Sequence, residues 1–173
     1  HEKIIASASD DKTVKLWEYP SGKLIETFDF FTKSVKAIDF RKDGSELACA
    51  SDSIYIIDLK DKTFRTIDRK AKRIFTTVHF SHLDRYLMFG GKKEKKIYLY
   101  SLQKRKIVKK FKHKSNHLIT DKKDIYFYSA GNNGTIKREP ISTISARKNL
   151  NLSAERSWHS FFSIALNEDL LFG

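Results

Sequence analysis

Short apolar runs recur along this chain, and each leads into small or polar residues. VKAIDF (35–40) alternates apart from the Ala37-Ile38 step. IYIIDL (54–59) and IYLY (97–100) are four to six residues long and rich in β-branched and aromatic side chains. A period of two places successive side chains on opposite faces of a strand, and Asp, Gly and Lys clusters between such runs are turn signals. A helical period of 3.6 is sustained nowhere. Even KKEKKIYLYSLQKRKIVKKF (92–111) holds two apolar clusters separated by a turn rather than one stripe. The pattern therefore predicts an all-β chain of short strands.

The runs repeat. IIASASD (4–10), ELACASD (46–52), YLMFGGK (86–92) and YFYSAGN (126–132) each pair an apolar strand with a small-residue turn, and LLFG (170–173) begins a fifth copy. With Ala8, Ala50, Gly90, Ala130 and Gly173 as equivalents, the steps are 42, 40, 40 and 43 residues. Each period divides into four strand-length runs. In the second they are Val35–Phe40, Leu47–Ala50, Ile54–Leu59 and Thr63–Ile67; in the third, Ile74–Phe80, Tyr86–Phe89, Lys96–Tyr100 and Lys106–Phe111. A unit of about 40–45 residues built from four strands is the signature of a propeller blade.

One period carries a motif as well as a spacing. SASDDKTVKLW (7–17) resembles the hairpin between strands b and c of a WD40 repeat, with Trp17-Glu18 where that family places Trp-Asp. The well-kept repeat covers residues 4–28. The resemblance implies that Ser7, Asp11 and Trp17 hold a hydrogen-bond network that satisfies the indole N–H, with a His from the preceding loop. Trp158-His159 stands where the Gly-His dipeptide belongs, so His159 is the matching structural residue of the fifth copy. The middle copies depart from the motif. Phe30-Phe31 replaces Gly-His, Ile57-Asp58 and Tyr100-Ser101 replace Trp-Asp, and SAGNNGTIKREP (129–140) aligns Ser129 with Ser7 and Glu139 with Trp17. Pro140 must end its strand or lie at an edge, because it cannot donate to a ladder. The expected organisation is one propeller unit in blade pieces near 1–28, 34–68, 73–111, 116–157 and an incomplete 158–173. That is about four blade-equivalents of a larger, seven-bladed ring. The alternative is a closed four-blade ring in which Phe161–Leu166 pairs with Ile4–Ser7.

Charge adds the next constraint. The 173 residues carry a net charge of +13, and those from Lys92 to Lys114 alone contribute +10. In the family's blades the b–c turns and d–a loops share one rim, and the a–b and c–d turns share the other. On that geometry Lys92, Lys93, Lys95 and Lys96 (b–c turn), Arg69, Lys70, Lys72 and Arg73 (d–a loop), and Lys112, His113 and Lys114 (next d–a loop) meet on one face. Lys104 and Arg105 go to the opposite rim. A focused basic patch favours acidic partners.

Catalytic chemistry has no such support. The chain lacks GxSxG, P-loop and GxGxxG motifs, and GNNG (131–134) reads as a hairpin turn. Of the six histidines, His79, His82, His113 and His117 fall on one or two blade loops, but a metal site needs convergent ligands with carboxylate or cysteine help, and a solvated or structural role is expected. The single cysteine, Cys49, lies on an apolar strand, excludes an intrachain disulfide and fits a reducing compartment. No apolar run reaches membrane-spanning length. The expectation is a non-catalytic scaffold without cofactor, metal or small-molecule substrate. Its partners are other proteins with acidic surfaces or peptides, in an intracellular assembly (nuclear, nucleolar or cytoplasmic) such as a ribonucleoprotein or ribosome-biogenesis particle. Direct binding of RNA or DNA phosphates is the alternative.

Overall fold

The structure of the chain, a computed structural model, describes residues 3–67, 74–91, 95–131, 135–141 and 150–153. Every regular element among them is a strand, and the strands form four antiparallel sheets in chain order. The first sheet holds β1 (Lys3–Ala8), β2 (Val14–Tyr19) and β3 (Leu24–Phe28). The second holds β4 (Ala37–Phe40), β5 (Glu46–Ala50), β6 (Ile54–Asp58) and β7 (Phe64–Ile67). β8 (Thr77–Phe80), β9 (Tyr86–Gly90), β10 (Ile97–Ser101) and β11 (Lys106–Phe111) make the third. β12 (His117–Thr120), β13 (Tyr126–Ala130), β14 (Thr135–Pro140) and β15 (Leu150–Ser153) make the fourth. These are propeller blades, the first holding strands b to d and the other three strands a to d in order. The expected fifth piece and the pairing of Phe161–Leu166 lie outside the described residues.

The cores sit between the blades. In the second blade Leu47, Cys49, Tyr55 and Ile57 face the first and pack on Val14, Leu16 and Phe28. Their neighbours Ala48, Ala50, Ile54 and Ile56 face the third and pack on Leu87, Phe89, Tyr98 and Tyr100. Met88, Ile97 and Leu99 then turn to the fourth blade and meet Leu118 and Phe127. A strand buried on both faces has no polar side to show. This explains why ELACA and IYLYS read as continuous apolar runs. The outermost strand β11 keeps its alternation, with Lys106, Val108 and Lys110 exposed.

Two strands begin later than the sequence predicts, for one reason. The Val35 N–H donates to Ser9 O in the first blade at 3.1 Å, and the Phe75 N–H donates to Ser51 O in the second at 2.7 Å. The start of each expected strand a is thus spent on the preceding blade's b–c turn, and the ladder begins at Ala37 and Thr77. The same crossing explains Gly91. A Cβ there would stand 2.4 Å from Ile74 O, so only glycine admits the loop.

Candidate functional site: the two rims

The inter-blade contacts define two rims. On one, the first two d–a loops meet the b–c turns before them, through the two backbone bonds above and the Lys36–Asp10 ion pair. Lys95 and Lys96 lie in the b–c turn of the third blade, and Lys112 and Lys114 in the d–a loop that leaves it; all four are exposed. The pairing of Ile97 with Phe111 sets these two segments side by side at one end of the blade. Arg69, Lys70, Lys72, Arg73, Lys92 and Lys93 lie outside the described residues.

His113 does not join the exposed lysines. Its ring turns inward, with Nε2 2.7 Å from Ser129 Oγ and Nδ1 3.2 Å from Glu139 Oε1. Burial, helped by the Lys137 charge, holds its pKa down to about 4, so it is a neutral structural group and adds no charge to the face. In that tautomer Nδ1–H donates to Glu139 and the Ser129 hydroxyl donates to Nε2. Burial raises the Glu139 carboxyl in turn, against the opposing pull of Lys137 and Lys109. Lys109 reaches Pro140 O at 3.1 Å and lies 4.6 Å from the Phe111 ring centroid.

On the other rim the a–b turns interlock. Asp39 Oδ2 accepts from the Phe80 N–H at 2.7 Å and lies 3.0 Å from His79 Nδ1. Asp84 Oδ1 accepts from the Lys42 N–H at 3.3 Å. The buried Asp124 accepts from Ser81 Oγ at 2.6 Å and from the Leu83 N–H at 3.3 Å, and Arg85 Nε lies 3.5 Å away. Asp84 and Asp124 occupy left-handed backbone at φ 52° and 53°, where the second blade has Gly44 at 73°. Two clefts open here. One of about 320 Å³ lies at the ends of β4, β8 and β12, with Asp39, Lys42, His79 and His82 around it. One of about 490 Å³ lies further out on the third blade.

Among the described residues no group of three His, Cys, Asp or Glu side chains could hold a metal ion. Cys49 is buried, and desolvation pushes its thiol far above the ordinary value, which removes its nucleophilic form. No helix among the described residues is long and apolar enough to cross a membrane.

A family model for the WD domain, G-beta repeat, matches residues 1–18. Eukaryotic translation initiation factor 3 subunit I of Neurospora crassa is 35% identical over 101 residues, covering 50% of this chain and 29% of that protein. The protein of the same name from Botryotinia fuckeliana is 30% identical over 101 residues, 50% of this chain and 30% of the relative. The periodic tryptophan protein 2 homolog of Mus musculus is 33% identical over 134 residues, 64% of this chain and 14% of its own length. The chain thus spans less than a third of the curated relatives it matches. Motif, period and blade topology agree with these likenesses. The chain carries a WD40 repeat at residues 1–18 and resembles the WD40-repeat family in its blades.

The WD40 hairpin itself departs in one detail from the sequence reading. Trp17 Nε1–H donates to Ser7 Oγ at 2.9 Å, as the motif implies. Asp11 does not extend that link. Its Oδ1 accepts from the Thr13 N–H at 2.9 Å and from Thr13 Oγ1 at 2.7 Å, which closes the turn and lowers its pKa. In the fourth WD40 blade the Ser and Trp slots are joined through His113, with Glu139 accepting where the indole would donate. The second blade uses Asp52 instead, which accepts from Thr32 Oγ1 at 2.6 Å and from Tyr55 OH at 3.1 Å. Phe30 and Phe31 stack on each other and on Phe64 and Tyr55, so they seal adjacent blades together. His159 lies outside the described residues. Sequence reasoning missed the roles of Asp39 and Asp124. The signal for Asp124 was present: DGS, LDR and KDI recur at 40-residue steps (43–45, 83–85, 123–125).

Proposed function

We propose that the chain is a non-catalytic WD40 scaffold for protein–protein contact in an intracellular multiprotein assembly, and that the basic rim of its third blade receives acidic partners. One observation carries this reading: Lys95, Lys96, Lys112 and Lys114 are all exposed at the same end of that blade. The relatives support it at a coarser level, since the two fungal proteins are by name subunits of a translation initiation factor. An assembly that contains nucleic acid, such as a ribonucleoprotein or ribosome-biogenesis particle, suits a chain of net charge +13. The second reading, direct grip on RNA or DNA phosphates, draws on the same four lysines.

Salt dependence separates the two. The full chain is titrated with labelled oligouridylate and with polyglutamate, and the variant Lys95→Glu/Lys96→Glu/Lys112→Glu/Lys114→Glu is titrated beside it. If RNA affinity falls steeply with log salt and collapses in the variant, the phosphate reading stands. Weak RNA binding, with polyglutamate binding that depends on the four lysines, supports the protein-partner reading. If the variant binds both probes as the wild type does, neither use of this rim survives.

A further inference from the structure

The outer cleft on the opposite rim is a built groove. Its floor runs from Arg85 and Tyr86 at the end of the a–b turn, past Ser101, to Gln103 and Lys104 in the c–d turn, and Val108 forms its outer wall. Val108 is 40% exposed on β11 at the point where the ladder to β10 shifts register, so an apolar seat stands beside the cations of the c–d turn. One carboxylate, Asp84, lines the groove, and Asp124 lies near it. Asp84 caps the Lys42 N–H, and Asp124 is buried against Ser81, Leu83 and Arg85. Among the described residues no carboxylate pairs with Lys104, and Arg105, Lys106 and Lys123 are exposed beside it. The Ser101 hydroxyl accepts from the Lys104 N–H at 3.1 Å, which fixes the turn that presents this lysine. The groove therefore offers a net positive charge, with Asp84 as its one lining carboxylate, around an apolar seat.

We propose that this groove docks an extended acidic segment of a partner protein, anchored by one apolar side chain against Val108. Charge complementarity selects carboxylates, and the exposed valine selects an apolar residue among them. A phosphate backbone would engage the lysines but leave Val108 idle. This surface is separate from the basic rim of the proposed function and does not depend on it.

The full chain is titrated by fluorescence anisotropy with a labelled ten-residue peptide of four glutamates flanking a central leucine. A matched peptide with serine at the centre and labelled oligouridylate are run in parallel. The leucine peptide is expected to bind. Replacing its leucine by serine, or the protein's Val108→Glu or Lys104→Glu, weakens it about tenfold or more, the loss of one good anchor. The four-lysine variant of the other rim binds it as the wild type does. Val108→Thr, nearly the same shape and suited to an edge strand, guards against misfolding and weakens binding in the same direction. The proposal is overturned if the leucine peptide does not bind at about 1 mM, or if leucine and serine peptides bind alike. It is equally overturned if Val108→Glu and Val108→Thr bind as the wild type does, if the four-lysine variant abolishes binding, or if oligouridylate alone depends on Lys104.

Discussion

His113 has two neighbours that both need it, and that decides what a single side chain does in the fourth blade. Ser129 supplies a hydroxyl and Glu139 a carboxylate, and a neutral imidazole with the proton on Nδ1 serves both. Lys137 reinforces the neutral form. The consequence is a pH dependence of stability with a definite sign. The unfolded chain protonates this imidazole near 6.5 and the folded chain only near 4. Between those values the unfolded state holds more protons, so lowering the pH through that window favours unfolding. Glu139, raised by burial, works in the opposite sense by taking up its proton earlier in the folded state. Subtracting the thermal midpoints of His113→Gln from those of the wild type isolates the imidazole. The difference is expected to shrink as the pH falls from 6.5 to 4, by about 2–4 °C per kcal/mol in a chain of this size. A pH-independent difference would mean that His113 titrates normally. The lowered carboxyls of Asp11, Asp43 and Asp52 act mainly below their ordinary value of 3.8, and the subtraction cancels what reaches into this window.

Turns, more than strands, carry the junctions between these blades. Asp124 sits in left-handed backbone, which Asp tolerates better than most side chains. From there it bonds Ser81 and Leu83 of the neighbouring turn. Asp124→Ala would strand a buried hydroxyl and a backbone N–H and place a Cβ-bearing residue without polar compensation at positive φ. The expected cost is about 3 kcal/mol in urea denaturation. Asp124→Asn keeps an acceptor and the backbone preference and should lose less than half of that. A cost under about 1 kcal/mol for alanine would show that the turn is not a link. At this scale the sequence was legible where one face of a strand or one period repeated. The 40-residue step located strands b of all four described blades, and Ser7–Trp17 announced its own bond. It was not legible where a residue's role depends on the next blade. Val35 and Phe75 continue the alternation of strand a, yet their N–H groups are taken by Ser9 and Ser51. His113 stands in a run of lysines, yet its ring turns to a serine sixteen residues on. Local pattern encodes which face a side chain takes, and it is silent about which neighbouring sheet will supply the partner.

Over the whole molecule, stability is a chain of pairwise blade interfaces rather than one shared core, because among the described residues each core cluster lies between consecutive blades. Phe75 is the sharpest probe of that organisation. It is fully buried in the loop entering the third blade, with its ring edge-on to Phe89 at 5.3 Å and its N–H on Ser51 of the second blade. Phe75→Ala removes the aromatic from the interface between the second and third blades and should cost about 3–5 kcal/mol. Hydrogen exchange shows where that cost is felt. Protection is expected to fall together in β5, β6, β9 and β10, whose side chains line this interface, and to fall least in β2, which packs on the far face of the second blade. Phe111→Ala, at the interface between the third and fourth blades, should move the loss to β9, β10 and β13. A loss confined to residues 74–76 would mean that the ring only fills a loop. An equal loss from β1 to β14 would mean that the blades unfold as one body, and the nearest-neighbour picture would fail.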